Sequence, residues 1–171
     1  MVLMAPMDEN ELRRVLFTAV NYEDGPIAFR YPRGKGYGVA LDEEIKPLDI
    51  GSGEVLREGE DVLLLAVGST VRPAMQAAAL LEDQGIGATV VNSRFVVPLD
   101  EELIDDLAGR HRLLLTVEEN VLTGGFGSAV LEFLHSRGCA PPRVHRLGIP
   151  AHFVEHSPQD LLRKRYRLDA E

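Results

Sequence analysis

Val62-Leu63-Leu64-Leu65-Ala66-Val67, closed by Gly68, is an unbroken apolar run. A strand covered on both faces reads this way, whereas a half-exposed one alternates apolar and polar residues. Working downstream, Thr70 stands as the N-cap of a helix with Pro73 in its first turn, where a missing N–H does no harm. Val71, Ala74, Met75, Ala78 and Leu81 form its apolar stripe, and Gly85 ends it. Residues 88–91 predict the second strand. Asp100 caps a helix carrying Leu103, Ile104 and Leu107, closed by Gly109. Residues 113–117 predict a third strand. Gly124-Gly-Phe-Gly-Ser128 then leads into a helix with Val130, Phe133 and Leu134 inward and Gly138 at its end. Residues 143–147 give a more polar fourth strand, and Ser157-Pro158-Gln159-Asp160 starts a last helix with Pro158 at the first helical position. Strands alternating with helices over residues 61–171 call for a three-layer α/β domain with a mainly parallel sheet.

Upstream of that run the pattern changes. Residues 34–59 scatter six glycines and a proline among charges without a sustained period, which reads as an interdomain linker over residues 37–60, interrupted by a short ribbon at Glu54-Val-Leu-Arg57. Before it, residues 1–36 read as strand, helix, strand. Asp8-Glu-Asn-Glu11 is a capping-box pattern in which Asp8 accepts from the helix and Glu11 reaches back. Leu12, Val15, Leu16 and Ala19 follow on one face, Gly25-Pro26 stops the helix, and residues 26–30 form the next strand. Two strands bury too little to stand alone, and the apolar start at Val2 has no preceding turn. Both features predict a strand-helix-strand remnant of a second α/β domain, cut within a strand.

Composition narrows the function classes. The 171 residues are 45% apolar and 26% charged, as in a globular chain, and carry a net charge of −9. A general nucleic-acid binder needs a cationic surface, so that class is excluded. There is no apolar run of membrane-span length and no signal-peptide pattern. With the lone Cys139, this places the chain in a reducing cytoplasm.

Against the acidic background, Arg30, Arg33 and Lys35 in Gly25-Pro-Ile-Ala-Phe-Arg-Tyr-Pro-Arg-Gly-Lys-Gly36 form a local basic island. Arg30 ends a strand, where α/β sheets collect ligands, and a guanidinium can grip phosphate or carboxylate bidentately. An ordinary surface arginine is the equal alternative. Gly68-Ser69-Thr70 opens a helix but lacks the lysine and spacing of a phosphate loop, so a turn and a cap suffice for it. Glu118 and Glu119 lie at the C-terminal end of a strand, yet adjacent strand residues point to opposite faces and do not make a dyad. The glycines at 124, 125 and 127 read as close packing against another backbone, such as across a subunit contact. His111, His135, His145, His152 and His156 make no metal-ligand spacing, and Cys139 has no base at a recognisable motif spacing.

Several motifs agree in order and spacing. Ala28-Phe-Arg-Tyr-Pro-Arg-Gly34, Asn92-Ser-Arg-Phe-Val-Val-Pro-Leu-Asp100, Val117-Glu-Glu-Asn-Val-Leu-Thr-Gly-Gly-Phe-Gly-Ser128 and Phe153-Val-Glu-His156 together resemble the C-terminal quarter of the 1-deoxy-D-xylulose-5-phosphate synthases, which are transketolase-like thiamine diphosphate enzymes. That resemblance implies a homodimeric enzyme condensing pyruvate with glyceraldehyde 3-phosphate, with decarboxylation, on the route to isoprenoids, thiamine and pyridoxal. It implies that residues 1–36 end a pyrimidine-binding domain and that residues 61–171 are the C-terminal domain. It gives Arg30, with Arg33 as a second candidate, the role of holding the acceptor's phosphate. Thiamine diphosphate and Mg2+ would be bound by residues outside this sequence, so no catalytic, cofactor or metal residue is expected here and the isolated stretch is expected to be inactive. The rivals are a transketolase, a 2-oxoacid dehydrogenase β subunit, and a free-standing α/β anion-binding module.

Overall fold

A computed structural model describes residues 1–137 and 142–171. The expected end of a helix at Gly138 and the lone Cys139 lie outside the described residues.

The run that opens the larger unit becomes β4 (Val62–Ala66), preceded by β1 (Val2–Met4), β2 (Ile27–Phe29) and β3 (Glu54–Arg57). It is followed by β5 (Ala88–Asn92), β6 (Phe95–Val97), β7 (Leu113–Val121) and β8 (Arg143–Ile149). Five strands form one sheet in the order β3-β5-β4-β7-β8, in which β4 is parallel to both β5 and β7, and β7 to β8. Only the ribbon strand β3 runs antiparallel, against β5.

Strand alternation builds the layers. Leu63, Leu65 and Val67 face one side, where they pack with Ile104 and Leu107 of α3 (Glu101–Arg110) and Val130 and Leu134 of α4 (Phe126–Ser136). Leu64 and Ala66 face the other, against Val71, Ala74 and Ala78 of α2 (Val71–Glu82). Helices on both faces explain why β4 needs no polar residue. The expected three-layer α/β fold with a mainly parallel sheet is therefore observed.

The opening segment is strand, helix, strand as expected, with α1 (Glu9–Asn21) crossing between parallel β1 and β2. Its sheet has a third member that sequence reading missed. β6 pairs antiparallel with β1, giving the order β2-β1-β6. The small core under α1 accordingly joins Val2, Met4 and Val15 to Leu48, which precedes β3, and Phe95 from β6.

Several local expectations are corrected. The inward face of α1 is Glu11, Val15 and Thr18, while Leu16 is 51% exposed. Polar groups can take the inward positions because each is bonded: Thr18 Oγ1 accepts from the Leu48 N–H (2.8 Å) and Glu11 accepts from Arg94 and Asn92. Asp8 caps the helix by accepting from the Glu11 N–H (2.8 Å), but Glu11 bonds the Met7 N–H (2.7 Å), not that of Asp8, so the capping box is not closed. Thr70 stands at the N-cap without capping. Gly68–Thr70 is a 3-10 turn, and the Thr70 hydroxyl lies 2.8 Å from the Val117 carbonyl, tying α2 to β7. Gly109 sits inside α3, which ends one residue later. Pro158 is the N-cap of α5 (Gln159–Arg165), not its first residue.

Residues 37–48 are not loose chain. Glu9 accepts from the N–H groups of Tyr37, Gly38 and Val39, and Asn10 exchanges two hydrogen bonds with Asp42, so residues 37–48 lie along α1.

Candidate functional site

β5 lies on one side of β4 and β7 on the other, so the chain reverses its direction of sheet growth between β4 and β7. Crevices that hold ligands in open α/β sheets form at the C-terminal ends of such strands. Ser69 follows β4 there, and Glu118 and Glu119 lie toward the end of β7. The first sheet closes over this point. A Cβ on Gly68, whose φ of +66° also favours glycine, would stand 3.1 Å from the Ala5 side chain just after β1.

Adjacent on β7, the two glutamates have separate partners. Glu118 is fully buried and accepts from the N–H groups of Phe126 and Gly127, each at 2.8 Å. These are the first two residues of α4, so the carboxylate occupies that helix's N-terminal anion position from within the chain. The glycines before α4 make room for it: a Cβ on Gly125 would meet the Glu118 carboxylate and the Val121 carbonyl, and one on Gly127 would meet Thr116 and Arg146. The expected close approach is made here against a side chain and backbone of the same chain.

Glu119 is met by the Ser69 hydroxyl and by Nε of Arg163 on α5 at 2.6 Å. Burial works against the charge on Arg163, but Glu119, by its bond and its negative charge, and then Tyr37 together outweigh this and raise its pKa. Ser69 is therefore more than a turn residue. Arg163 was missed because, in sequence, Arg163-Lys164-Arg165 looks like the ordinary basic end of a helix.

Arg30 follows β2, where its N–H donates to the Met4 carbonyl (3.0 Å). Nε and Nη2 of its guanidinium are shut from solvent with no hydrogen-bond partner among the described residues. Burial pushes its pKa down, and the charges of Glu119 and Glu118 pull it back up. An arginine stays cationic under such shifts, so the result is a charged donor with unused hydrogen-bonding capacity. The basic island divides here. Arg33 and Lys35 are exposed and line a cleft of about 440 Å³ together with Tyr37, Ser69 and Arg163.

The histidines do other work. His111 is buried, with Nδ1 2.7 Å from the Leu107 carbonyl and Nε2 3.0 Å from that of Gly59, which ties α3 to the turn before β4. His152 contacts the Tyr166 hydroxyl (3.0 Å), and His135, His145 and His156 are exposed. Among the described residues no group of His, Cys, Asp and Glu could hold a metal ion.

This arrangement defines an α/β domain with a crevice of arginines and glutamates at the reversal point of its sheet. Residues 51–171 match the transketolase, C-terminal domain family, and the chain belongs to that family. It is 56% identical over 170 residues to 1-deoxy-D-xylulose-5-phosphate synthase 1 of Geobacter sulfurreducens, covering 99% of this chain and 26% of that protein. The synthase of Thermosynechococcus vestitus is 58% identical over 161 residues, covering 94% and 25%. The chain thus spans about a quarter of the length of the curated relatives it matches. Among solved structures, one described as a split gene transketolase, inactive beta4 tetramer, superposes with a TM-score of 0.83 at 33% identity, covering 99% of this chain and 54% of that one. A transketolase of Campylobacter jejuni shares the fold (TM-score 0.69, 22% identity, covering 99% and 24%).

Proposed function

We propose that this chain is the C-terminal part of a thiamine diphosphate-dependent synthase that condenses pyruvate with glyceraldehyde 3-phosphate, with loss of carbon dioxide, to 1-deoxy-D-xylulose 5-phosphate. The identities of 56% and 58% to synthases so named support that substrate pair. In this reading residues 1–36 end the pyrimidine-binding domain, 37–60 link, and 61–171 form the C-terminal domain of a cytoplasmic homodimer.

The role of this stretch is to hold the acceptor by its phosphate, and the observation that carries it is Arg30. A guanidinium with two enclosed and unpartnered nitrogens gains most from a bidentate oxyanion, which satisfies the donors and the charge together. Arg33, exposed on the neighbouring cleft, adds field at its mouth. In this reading thiamine diphosphate and Mg2+ are bound by residues outside this sequence. No chemical step is assigned to this stretch, and by itself it is inactive.

The test is Arg30→Ala in the complete enzyme. One charge-assisted contact contributes about 1.5–3 kcal/mol, so the KM for glyceraldehyde 3-phosphate should rise roughly ten- to hundredfold while that for pyruvate stays near its starting value. Equal changes in both would sink the phosphate role.

A further inference from the structure

We infer that Arg163, near the C-terminal end of the chain, is a positioning residue that keeps Arg30 free for an oxyanion by neutralising Glu119. The inference rests on the phosphate reading of Arg30.

The charges of two carboxylates, Glu119 and Glu118, act on Arg30, and it pairs with neither among the described residues. Glu118 is held by the two N–H groups at the start of α4. Glu119 is held by the Ser69 hydroxyl and by Arg163 Nε at 2.6 Å, in a contact where both side chains are largely covered, 18% and 16% exposed. Arg30 Nε and Nη2 are left without a partner among the described residues. Arg30 and Arg163 together offset the charges of Glu118 and Glu119, so the cluster is neutral before an anion arrives. Without Arg163 it is left with one negative charge in surplus. Glu119 would then be a covered carboxylate held only by the Ser69 hydroxyl, acting on Arg30 through its charge and repelling a phosphate.

Arg163 is held in place by the chain end that follows it. The N–H of Leu168 donates to the Arg163 carbonyl (2.8 Å) and that of Arg167 to the Lys164 carbonyl (3.3 Å), with Arg167 at φ +56°, the left-handed cap that closes a helix. Leu168 is 2% exposed and packs in the cluster that contains Leu64 and Val117. A hydrophobic anchor therefore fixes α5, and α5 delivers Arg163 to the far side of Glu119 from a position over a hundred residues away from Arg30.

The complete enzyme carrying Arg163→Gln, Glu119→Gln, or both, tests this against glyceraldehyde 3-phosphate and unphosphorylated glyceraldehyde. Arg163→Gln should raise KM for the phosphorylated acceptor about tenfold more than for the unphosphorylated one, the size of one charge acting over roughly 12 Å at an effective dielectric of about 20. Glu119→Gln should not raise it, and the double variant should return to within about twofold of the parent, since the parent's charge balance is restored. A purely structural role predicts equal losses for both acceptors and a double variant worse than either single one; that result overturns the inference. If Arg163→Gln is not recovered folded, Arg163→Lys decides, because the charge is kept while the Nε contact is lost. It should hold the phosphorylated acceptor within about threefold of the parent, and a tenfold loss counts against us. Arg30→Ala separates the two levels. No effect there removes the phosphate reading itself, whereas a phosphate-specific effect with an inert Arg163→Gln removes only the present inference.

Discussion

Nε of Arg94 donates to Oε1 of Glu11 across 2.6 Å, joining residues 83 positions apart in the chain. Both side chains are buried, 8% and 3% exposed, and Arg94 also pairs with Glu54, at the start of β3. Arg94 holds a left-handed backbone, φ +51°, which costs a non-glycine residue about 1–2 kcal/mol. The ion pair stabilises that geometry and locks the first sheet to the second.

Removing one member of a buried pair strands the other, at a cost of about 3–5 kcal/mol. Arg94→Met is therefore expected to lower unfolding free energy by that amount in urea titrations. Glu54→Gln should cost about 1 kcal/mol or less, because Glu54 is 48% exposed and water screens it. Equal losses at the two positions would show that Glu11 and Arg94 are not the anchor.

Glycines 109 and 125 should respond oppositely to alanine. A Cβ on Gly125 would stand 2.5 Å from the Val121 carbonyl oxygen and 2.8 Å from Oε1 of Glu118, so Gly125→Ala must displace the carboxylate that caps α4, losing about 1–3 kcal/mol. Gly109 lies inside α3 with nothing within 4 Å of its Cβ position. Gly109→Ala should raise stability by about 0.5–1 kcal/mol. Thermal unfolding of the two variants against the parent checks both signs.

The strap over α1 should loosen in acid. N–H groups hold the Glu9 carboxylate below the usual range, first its own and then that of Tyr37, with Gly38 and Val39 adding to the effect. The folded pKa is the lower one, so this stabilisation is full above the unfolded value near ~4.3 and fades as pH falls through the folded value. Hydrogen exchange at the Tyr37, Gly38 and Val39 amides, corrected for intrinsic rates, should show protection that drops below about pH 4. Glu9→Gln should remove that pH dependence, and protection unchanged down to pH 2 would exclude Glu9 as its source.

Much of the architecture was legible because apolar patterning is a local signal. Residues 62–67 could only be a strand covered on both faces, and the stripes of α2, α3 and α4 carried helical spacing through to the core. The strand β6 was not legible, because Phe95-Val-Val97 is too short and follows β5 too closely to be told from a continuation of it. The orientation of α1 was misjudged for a related reason: Glu11 and Thr18 look solvent-facing until their partners Arg94 and Leu48, far along the chain, are brought to them.

The sequence by itself determined the alternation of strands and helices, the three layers they imply, and the basic residue Arg30 at the end of a strand. Only the tertiary structure decided what surrounds that arginine. Whether a guanidinium is spent on a neighbour or left for a ligand depends on distances between groups far apart in sequence. Here Glu118 is claimed by α4 and Glu119 by Ser69 and Arg163. Such contacts follow from how the sheets and helices pack, and no local pattern of residues encodes them.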